Sequence, residues 1–195
     1  MEYFMKVGFF GGSFDPIHFG HLNLILEILE KSDIDKILIC PSNLAPNKID
    51  NPHSALAKDR LEMVRLLVSD IEKVSICDLE VKREGISYTI DTLRVLKDSF
   101  SDISLIITND ALMDFHNWKE YNEILKITTP MVVIRSLNKK IPKEFKGLLK
   151  NQIKIRQLEI SSSDIRDRLK KKLYCKHLTS ERVLDFIFTN NLYLK

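Results

Sequence analysis

The feature that most restricts the fold is a repeated alternation of short, unbroken apolar runs with segments of helical period. Lys6-Val7-Gly8-Phe9-Phe10 precedes a stretch from Leu22 to Leu29 in which Leu22, Ile25, Leu26 and Leu29 share one helical face. Lys36 to Cys40 is a second run, stopped by Pro41, and the helix predicted over Ala55 to Val68 gathers Leu61, Val64, Leu67 and Val68. Lys73 to Cys77, Ile103 to Ile107 and Met131 to Ile134 are further runs, with a helix predicted over Thr89 to Leu96. Ile153 to Ile155 is expected to form a last short strand, followed by helices near Asp164 to Lys172 and Ser180 to Thr189. Strands that are apolar at successive residues must be covered on both faces, as in a parallel sheet between helix layers. The order therefore predicts an α/β fold, a Rossmann-like doubly wound parallel sheet with helices on both faces.

The chain's 195 residues suffice for one domain, residues 1–195, with a core that needs no staples. Neither Pro41 to Ser54 nor Ser136 to Leu148, the most loop-like stretches, is long enough to separate two domains. No apolar run approaches the roughly 18 residues of a membrane span. The opening Met1 to Lys6 lacks the parts of a signal peptide and is expected to run into the first strand. Cys40, Cys77 and Cys175 show neither CxxC nor zinc spacing, so buried thiols in a reducing cytoplasm are expected. The formal charge of +3 is too small to announce a nucleic-acid binder, and the aromatic residues do not interleave with a basic stripe. The basic run from Arg166 to Lys176 reads as a solvated helix face or as a field that attracts small polyanions.

In a doubly wound sheet, ligands bind outside the carboxyl ends of the strands. Directly after the first strand comes Gly11-Gly12-Ser13-Phe14-Asp15-Pro16-Ile17-His18-Phe19-Gly20-His21-Leu22. Gly11 and Gly12 let backbone approach a ligand, and a helix beginning near Phe19 turns its free N–H groups and positive dipole end to the same space. His18 and His21, three apart, fall on one side of that helix start. Such a site suits a phosphate undergoing substitution, which needs positioning and charge stabilisation more than a covalent partner. A lone HxxH pair is more often structural; its position after a strand and within a glycine loop favours phosphate here. No metal ligand set is expected, since HExxH and an obvious third ligand are both absent. Near the other end, Ile160-Ser161-Ser162-Ser163-Asp164-Ile165-Arg166 offers hydroxyls at a helix start and an arginine suited to bidentate phosphate contact. A plain capped helix is the alternative for that segment alone.

Together these two segments resemble the nucleotidyltransferase superfamily with HxGH and ISSTxIR signatures. Between them, Asp59 to Val64, the segment Glu80 with Arg83-Glu84-Gly85-Ile86-Ser87-Tyr88-Thr89-Ile90-Asp91-Thr92-Leu93, and Asp110 with Phe115-His116-Asn117-Trp118 resemble the bacterial nicotinate-nucleotide adenylyltransferase family, as does the ending Leu192-Tyr193. The resemblance implies transfer of AMP from ATP to nicotinate mononucleotide, giving deamido-NAD and pyrophosphate. It implies catalytic contacts from His18, His21 and Arg166 to the ATP phosphates. Gly11, Gly12 and Ser13 would face substrate phosphates, and Ser162 and Ser163 would lie near the ATP end. Thr89 and Trp118 would lie at the pyridine ring, Asp110 near ribose and Arg135 close to the nucleotide product. Mg²⁺ would be carried by ATP. Two positions depart from the family pattern. Thr108 stands where a glycine is usual two before Asp110, and Asn47 replaces a loop histidine, leaving Lys48 to keep a positive charge.

These residues suggest in-line attack by a mononucleotide phosphate on the α-phosphorus of ATP, with no strong general base. A pantetheine-phosphate adenylyltransferase, a strict nicotinamide-mononucleotide enzyme and a catalytically silent nucleotide-binding module are the competing readings. The Ser87 to Leu93 block and Trp118 speak against the first, and intact His18, His21 and Arg166 against the last. A homo-oligomer is compatible with the sequence, which does not decide oligomeric state.

Overall fold

The computed structural model describes residues 5–135 and 141–194. Six strands form one sheet: β1 (Lys6–Gly12), β2 (Lys36–Pro41), β3 (Val74–Ile76), β4 (Asp102–Thr108), β5 (Met131–Ile134) and β6 (Gln152–Lys154). Their spatial order is β3-β2-β1-β4-β5-β6, with parallel pairing throughout, so the sheet is the doubly wound one predicted. Order reverses between β1 and β4, where Phe9 pairs with Leu38 on one side and Leu105 on the other.

The unbroken apolar runs have the consequence expected of them. Alternate residues of β1, β2, β4 and β5 enter two separate hydrophobic clusters, one on each face. Phe10, Ile37, Ile39 and Ile106 join α1 (Phe19–Lys31), α2 (Ala57–Val68), and the α7 (Ser162–Lys170) and α8 (Glu181–Thr189) helices, through Ile25, Val64, Ile165 and Ile187. Val7, Phe9, Leu38 and Ile107 join α4 (Thr89–Lys97) and α6 (Tyr121–Ile127) through Ile90, Leu93 and Ile124. Ile25 and Ile28 of α1 are fully buried, each a gain of roughly 1.5–3 kcal/mol over exposure.

Several elements were not visible as periodicity. The α3 (Leu79–Arg83) and α5 (Asn109–Leu112) helices, α6, and 3₁₀ turns at Pro46–Lys48 and Phe115–Asn117 are too short to show a repeat, and the nine-residue 3₁₀ segment Lys143–Asn151 does not follow the α-helical period. β6 begins one residue before the expected Ile153. Of the two loop-like stretches, Pro41 to Ser54 contributes the end of β2 and a 3₁₀ turn. Residues 136–140 of the other, and the expected run-in at Met1 to Phe4, lie outside the described residues. All three cysteines are free and buried.

Candidate active site

β1 delivers the chain to the point where strand order reverses, and the turn that follows is shaped by aromatic and imidazole rings lying over glycines. A Cβ on Gly12 would come within 2.8 Å of the Phe14 ring. A Cβ on Gly20 would meet Cε1 and Nδ1 of His18 at 3.0 Å. Gly20 therefore leaves room for the His18 ring to fold back over the first turn of α1.

His18 is the N-cap of α1, with extended backbone at φ −152° and ψ 171°. Its Nδ1 accepts the Gly20 N–H at 3.1 Å, and Nδ1 of His21 accepts the His18 N–H at 3.3 Å. Two orphan donors of the helix start are thus satisfied by two imidazoles, the reciprocal pattern of a capping box. The same bonds set both tautomers. With each Nδ1 occupied as acceptor, the proton of each neutral ring sits on Nε2, which becomes a donor. The rings lie 3.8 Å apart between centroids, tilted by 30°.

Burial, helped by Arg135, lowers the His18 pKa to about 4. Burial, then His18 and Arg135, holds His21 well below the usual imidazole value. Both rings are therefore neutral hydrogen-bond donors at pH 7. For a buried base with a lowered folded-state pKa, the unfolded chain takes up protons first as pH falls. The stability from this source is present above about pH 6.5 and is lost as pH falls toward about 4, roughly 3 kcal/mol for His18 alone. We expect the His18 ring resonances in the unliganded protein to keep neutral-imidazole shifts down to about pH 5, and those of His21 to stay neutral through the pH range in which a free imidazole titrates. Titration of either ring near 6.5 would overturn the assignment. A bound polyanion should raise both values, since negative charge favours the protonated form.

Two cavities meet at Gly11 and Gly12. The first, about 180 Å³, is lined by His18, His21, Thr108, Arg135, Arg156 and apolar residues that include Ile160. Arg135 leaves the end of β5 and bonds Asp110, Nε to Oδ2 at 2.7 Å. Thr108, at the end of β4, accepts the Ala111 N–H at 3.4 Å and caps α5. The threonine that departs from the family glycine thus acquires a local role.

The second cavity, about 590 Å³, is lined by Ser13, Ser42, Ser87, Thr89, Trp118 and Lys119 among others. Its walls explain the Glu80 to Leu93 segment. Ser87 Oγ accepts the Asn43 N–H at 2.8 Å, the Ser87 N–H bonds Leu44 O at 2.8 Å, and Asn43 Nδ2 bonds Gly85 O at 2.9 Å. Glu80, buried but also part of the lining, accepts Thr92 Oγ1–H at 2.8 Å. Burial pushes its carboxyl pKa up, against the hydrogen bonds from Thr92 and Ser87. In the same lining Trp118 packs edge-on to Phe115, and Lys119 lies 4.6 Å above the Tyr88 ring while bonding Asp91 at 3.1 Å.

In the serine-arginine segment Ile160 reaches the first cavity, whereas Ser161 to Arg166 line neither. Ser161 caps α7 by accepting the Asp164 N–H at 3.0 Å. Ser162 Oγ donates to Pro16 O at 2.8 Å, and Arg166 donates to Asp15 O at 2.6 Å and to Ser163 Oγ at 3.1 Å. Lys48, in its 3₁₀ turn, also stands outside both cavities. The structure thus gathers Gly11, Gly12, His18, His21 and Arg135 at one cavity and Ser13, Thr89 and Trp118 at the other. It joins Ser162, Ser163 and Arg166 to the turn between them.

Sequence reasoning missed the residues that hold this turn. Asp15 is buried and accepts from Ser54 N at 2.8 Å, Ala55 N at 3.2 Å and Tyr193 Oη at 2.7 Å. Arg60 is fully buried in α2 and donates to four backbone carbonyls, of Ser13, Ser42, Asn43 and Ala55. Its signal was present: it stands four residues before Val64 on the buried helical face.

A family model described as cytidylyltransferase-like matches residues 9–168 of the chain. The probable nicotinate-nucleotide adenylyltransferase of Dictyoglomus thermophilum is 37% identical, over 97% of this chain and 100% of the relative. That of Methylacidiphilum infernorum is 36% identical over 97% and 92% respectively. Among solved structures, the Plasmodium falciparum nicotinic acid mononucleotide adenylyltransferase complexed with NaAD superposes with a TM-score of 0.76. It covers 96% of this chain and 97% of that one at 23% identity, a likeness of fold.

Proposed function

Because the chain belongs to the cytidylyltransferase-like family, and within it to the nicotinate-nucleotide adenylyltransferases, we infer that it transfers AMP from ATP to nicotinate mononucleotide. The products are deamido-NAD and pyrophosphate, a step of NAD biosynthesis. The observation that carries this reading is the meeting of two cavities at Gly11–Gly12, one of them bearing two imidazole Nε2–H donors. In our reading ATP occupies the histidine cavity and the mononucleotide the larger one, so that the acceptor phosphate and the α-phosphate meet over the glycines. An acceptor phosphate oxygen attacks the α-phosphorus, the bond from that phosphorus to the bridging oxygen breaks, and pyrophosphate leaves with its electron pair. A phosphate is already anionic near pH 7, so no side chain need remove a proton.

His18 and His21 act as neutral donors to the α-phosphate, where charge grows in the transition state. Arg166, with Ser162 and Ser163, fixes the turn from behind and reaches the ATP phosphates by turning from Asp15 O. Lys48 supplies positive charge to the same phosphates. Thr89 and Trp118 receive the pyridine ring, Asp110 the ribose, and Arg135 the nucleotide product once freed from Asp110. Mg²⁺ arrives on the triphosphate and neutralises part of its charge. Among the described residues no group of three or more His, Cys, Asp or Glu side chains is placed to hold an ion. We read residues 1–195 as one nucleotidyltransferase domain acting in the cytoplasm on small nucleotides rather than nucleic acid. No helix among the described residues is long and apolar enough to cross a membrane.

The test is pyrophosphate release with ATP and, side by side, nicotinate and nicotinamide mononucleotides. Faster turnover of the acid is expected, because the relatives that the chain matches over nearly its whole length are named for the nicotinate nucleotide. Preference for the amide would reject the acceptor, and absence of release with either would reject the reaction.

A further inference from the structure

One side of α1 carries Asn23, Glu27 and Lys31 at four-residue intervals, so they form a row along the helix. That row grips the chain where it leaves β6. Lys31 Nζ donates to Lys154 O at 3.3 Å, Glu27 Oε1 accepts the Arg156 N–H at 3.1 Å, and Asn23 Nδ2 donates to Arg156 O at 2.9 Å. Both backbone groups of Arg156 are therefore held by helix side chains, as a neighbouring strand would hold them. Glu27 is only 8% exposed, and Lys31 on the same row pairs with its carboxylate. A nearly buried carboxylate is costly unless paired and hydrogen-bonded.

The backbone is pinned, but the side chain is not used. Arg135 is bonded to Asp110, and Arg166 to Asp15 O and Ser163. The Arg156 guanidinium makes no hydrogen bond or ion pair to the described residues, although Arg156 lines the histidine cavity. Among the described residues no carboxylate lines that cavity, so its field favours an anion. A pinned backbone also reduces the ordering cost of engaging the side chain.

We propose that Arg156 is a further nucleotide-binding residue, whose guanidinium binds the triphosphate of ATP, with Asn23 and Glu27 as its positioning residues. This rests on the assignment of ATP to the histidine cavity. In steady-state kinetics of the full-length enzyme, Arg156→Gln should raise the KM for ATP about tenfold, the loss of one charge-assisted hydrogen bond. Neither kcat nor the KM for the mononucleotide should change by more than about twofold. The inhibition constant of inorganic tripolyphosphate, competing with ATP, should rise in step, and Arg156→Lys should recover part of both effects. Asn23→Ala should raise the KM for ATP by less, and should add nothing in the Arg156→Gln background. An unchanged KM for ATP would overturn the proposal. So would a raised KM with unchanged tripolyphosphate inhibition, which would put Arg156 on the base. Additive effects of the Asn23 and Arg156 substitutions would remove the positioning role. Calorimetric binding of tripolyphosphate to wild type and Arg156→Gln needs no turnover, so it decides the proposal even if the acceptor has been misassigned.

Discussion

Replacing His21 by Ala should lower kcat about 100- to 1,000-fold while leaving the KM values for both substrates nearly unchanged, the signature of a donor used mainly in the transition state. The His21 Nε2–H is a neutral donor, because burial and its neighbours keep the imidazole from protonating. Its contribution lies in orientation toward charge that grows at the α-phosphate, worth roughly 2.7–4 kcal/mol when a comparable donor is removed. His18 permits a sharper version of the test, because its two nitrogens do different work. Nδ1 caps α1 through Gly20 N–H, leaving Nε2 for the substrate. Asn is a good N-cap but carries no group at the Nε2 position. His18→Asn should therefore retain the melting temperature and lose kcat, whereas His18→Ala should lose kcat and about 1 kcal/mol of stability together. Steady-state kinetics beside thermal melts separate the two. Wild-type kcat in His18→Asn would show that the ring serves only as a cap.

That division of labour also shows where the sequence was legible and where it was not. The strands could be read because runs such as Ile37-Leu38-Ile39-Cys40 are apolar at every position, and burial on both faces is their only stable outcome. The long helices showed themselves by period, and the first turn after β1 by its glycines. The Gly20 between the histidines was recognisable as a pattern, but its reason is a three-dimensional contact with the His18 ring. The short helices α3, α5 and α6 span 5, 4 and 7 residues, too few turns for a repeat to rise above its neighbours. The three serines of Ile160 to Arg166 look equivalent along the chain, yet one caps, one donates to Pro16 O and one accepts from Arg166. Chain separation hid the rest. Tyr193 meets Asp15 across 178 positions and Arg166 meets it across 151. Nothing in local spacing reports such contacts.

Arg60→Met should destabilise the protein by about 3–5 kcal/mol, the largest effect on stability expected of any single substitution here. Methionine matches the stem of arginine and fits the buried face of α2, so a simple cavity is not the issue. The cost comes from the four carbonyls left behind. Ser13 O at 2.6 Å, Ser42 O at 2.7 Å, Asn43 O at 2.8 Å and Ala55 O at 3.2 Å all accept from one guanidinium. Burial lowers the Arg60 pKa, and Asp15 opposes that shift; an arginine keeps its proton at neutral pH regardless. Loss of the cation would also leave the Asp15 carboxylate with one fewer nearby positive charge. Lysine would restore charge but not the planar fork that reaches carbonyls from three segments, so Arg60→Lys should recover only a minor part. A loss of this size corresponds to roughly 10 °C in melting temperature for a chain of this length. Urea unfolding should show a lowered midpoint at unchanged slope, and a stability within 1 kcal/mol of wild type would mean that water replaces the guanidinium at these carbonyls. Because Ser13 and Ser42 line the larger cavity and Arg60 ties their carbonyls together, any variant folded enough to assay should show a raised KM for the mononucleotide. Its residual kcat should exceed that of His21→Ala, since the imidazole pair is held by its own helix start and not by Arg60.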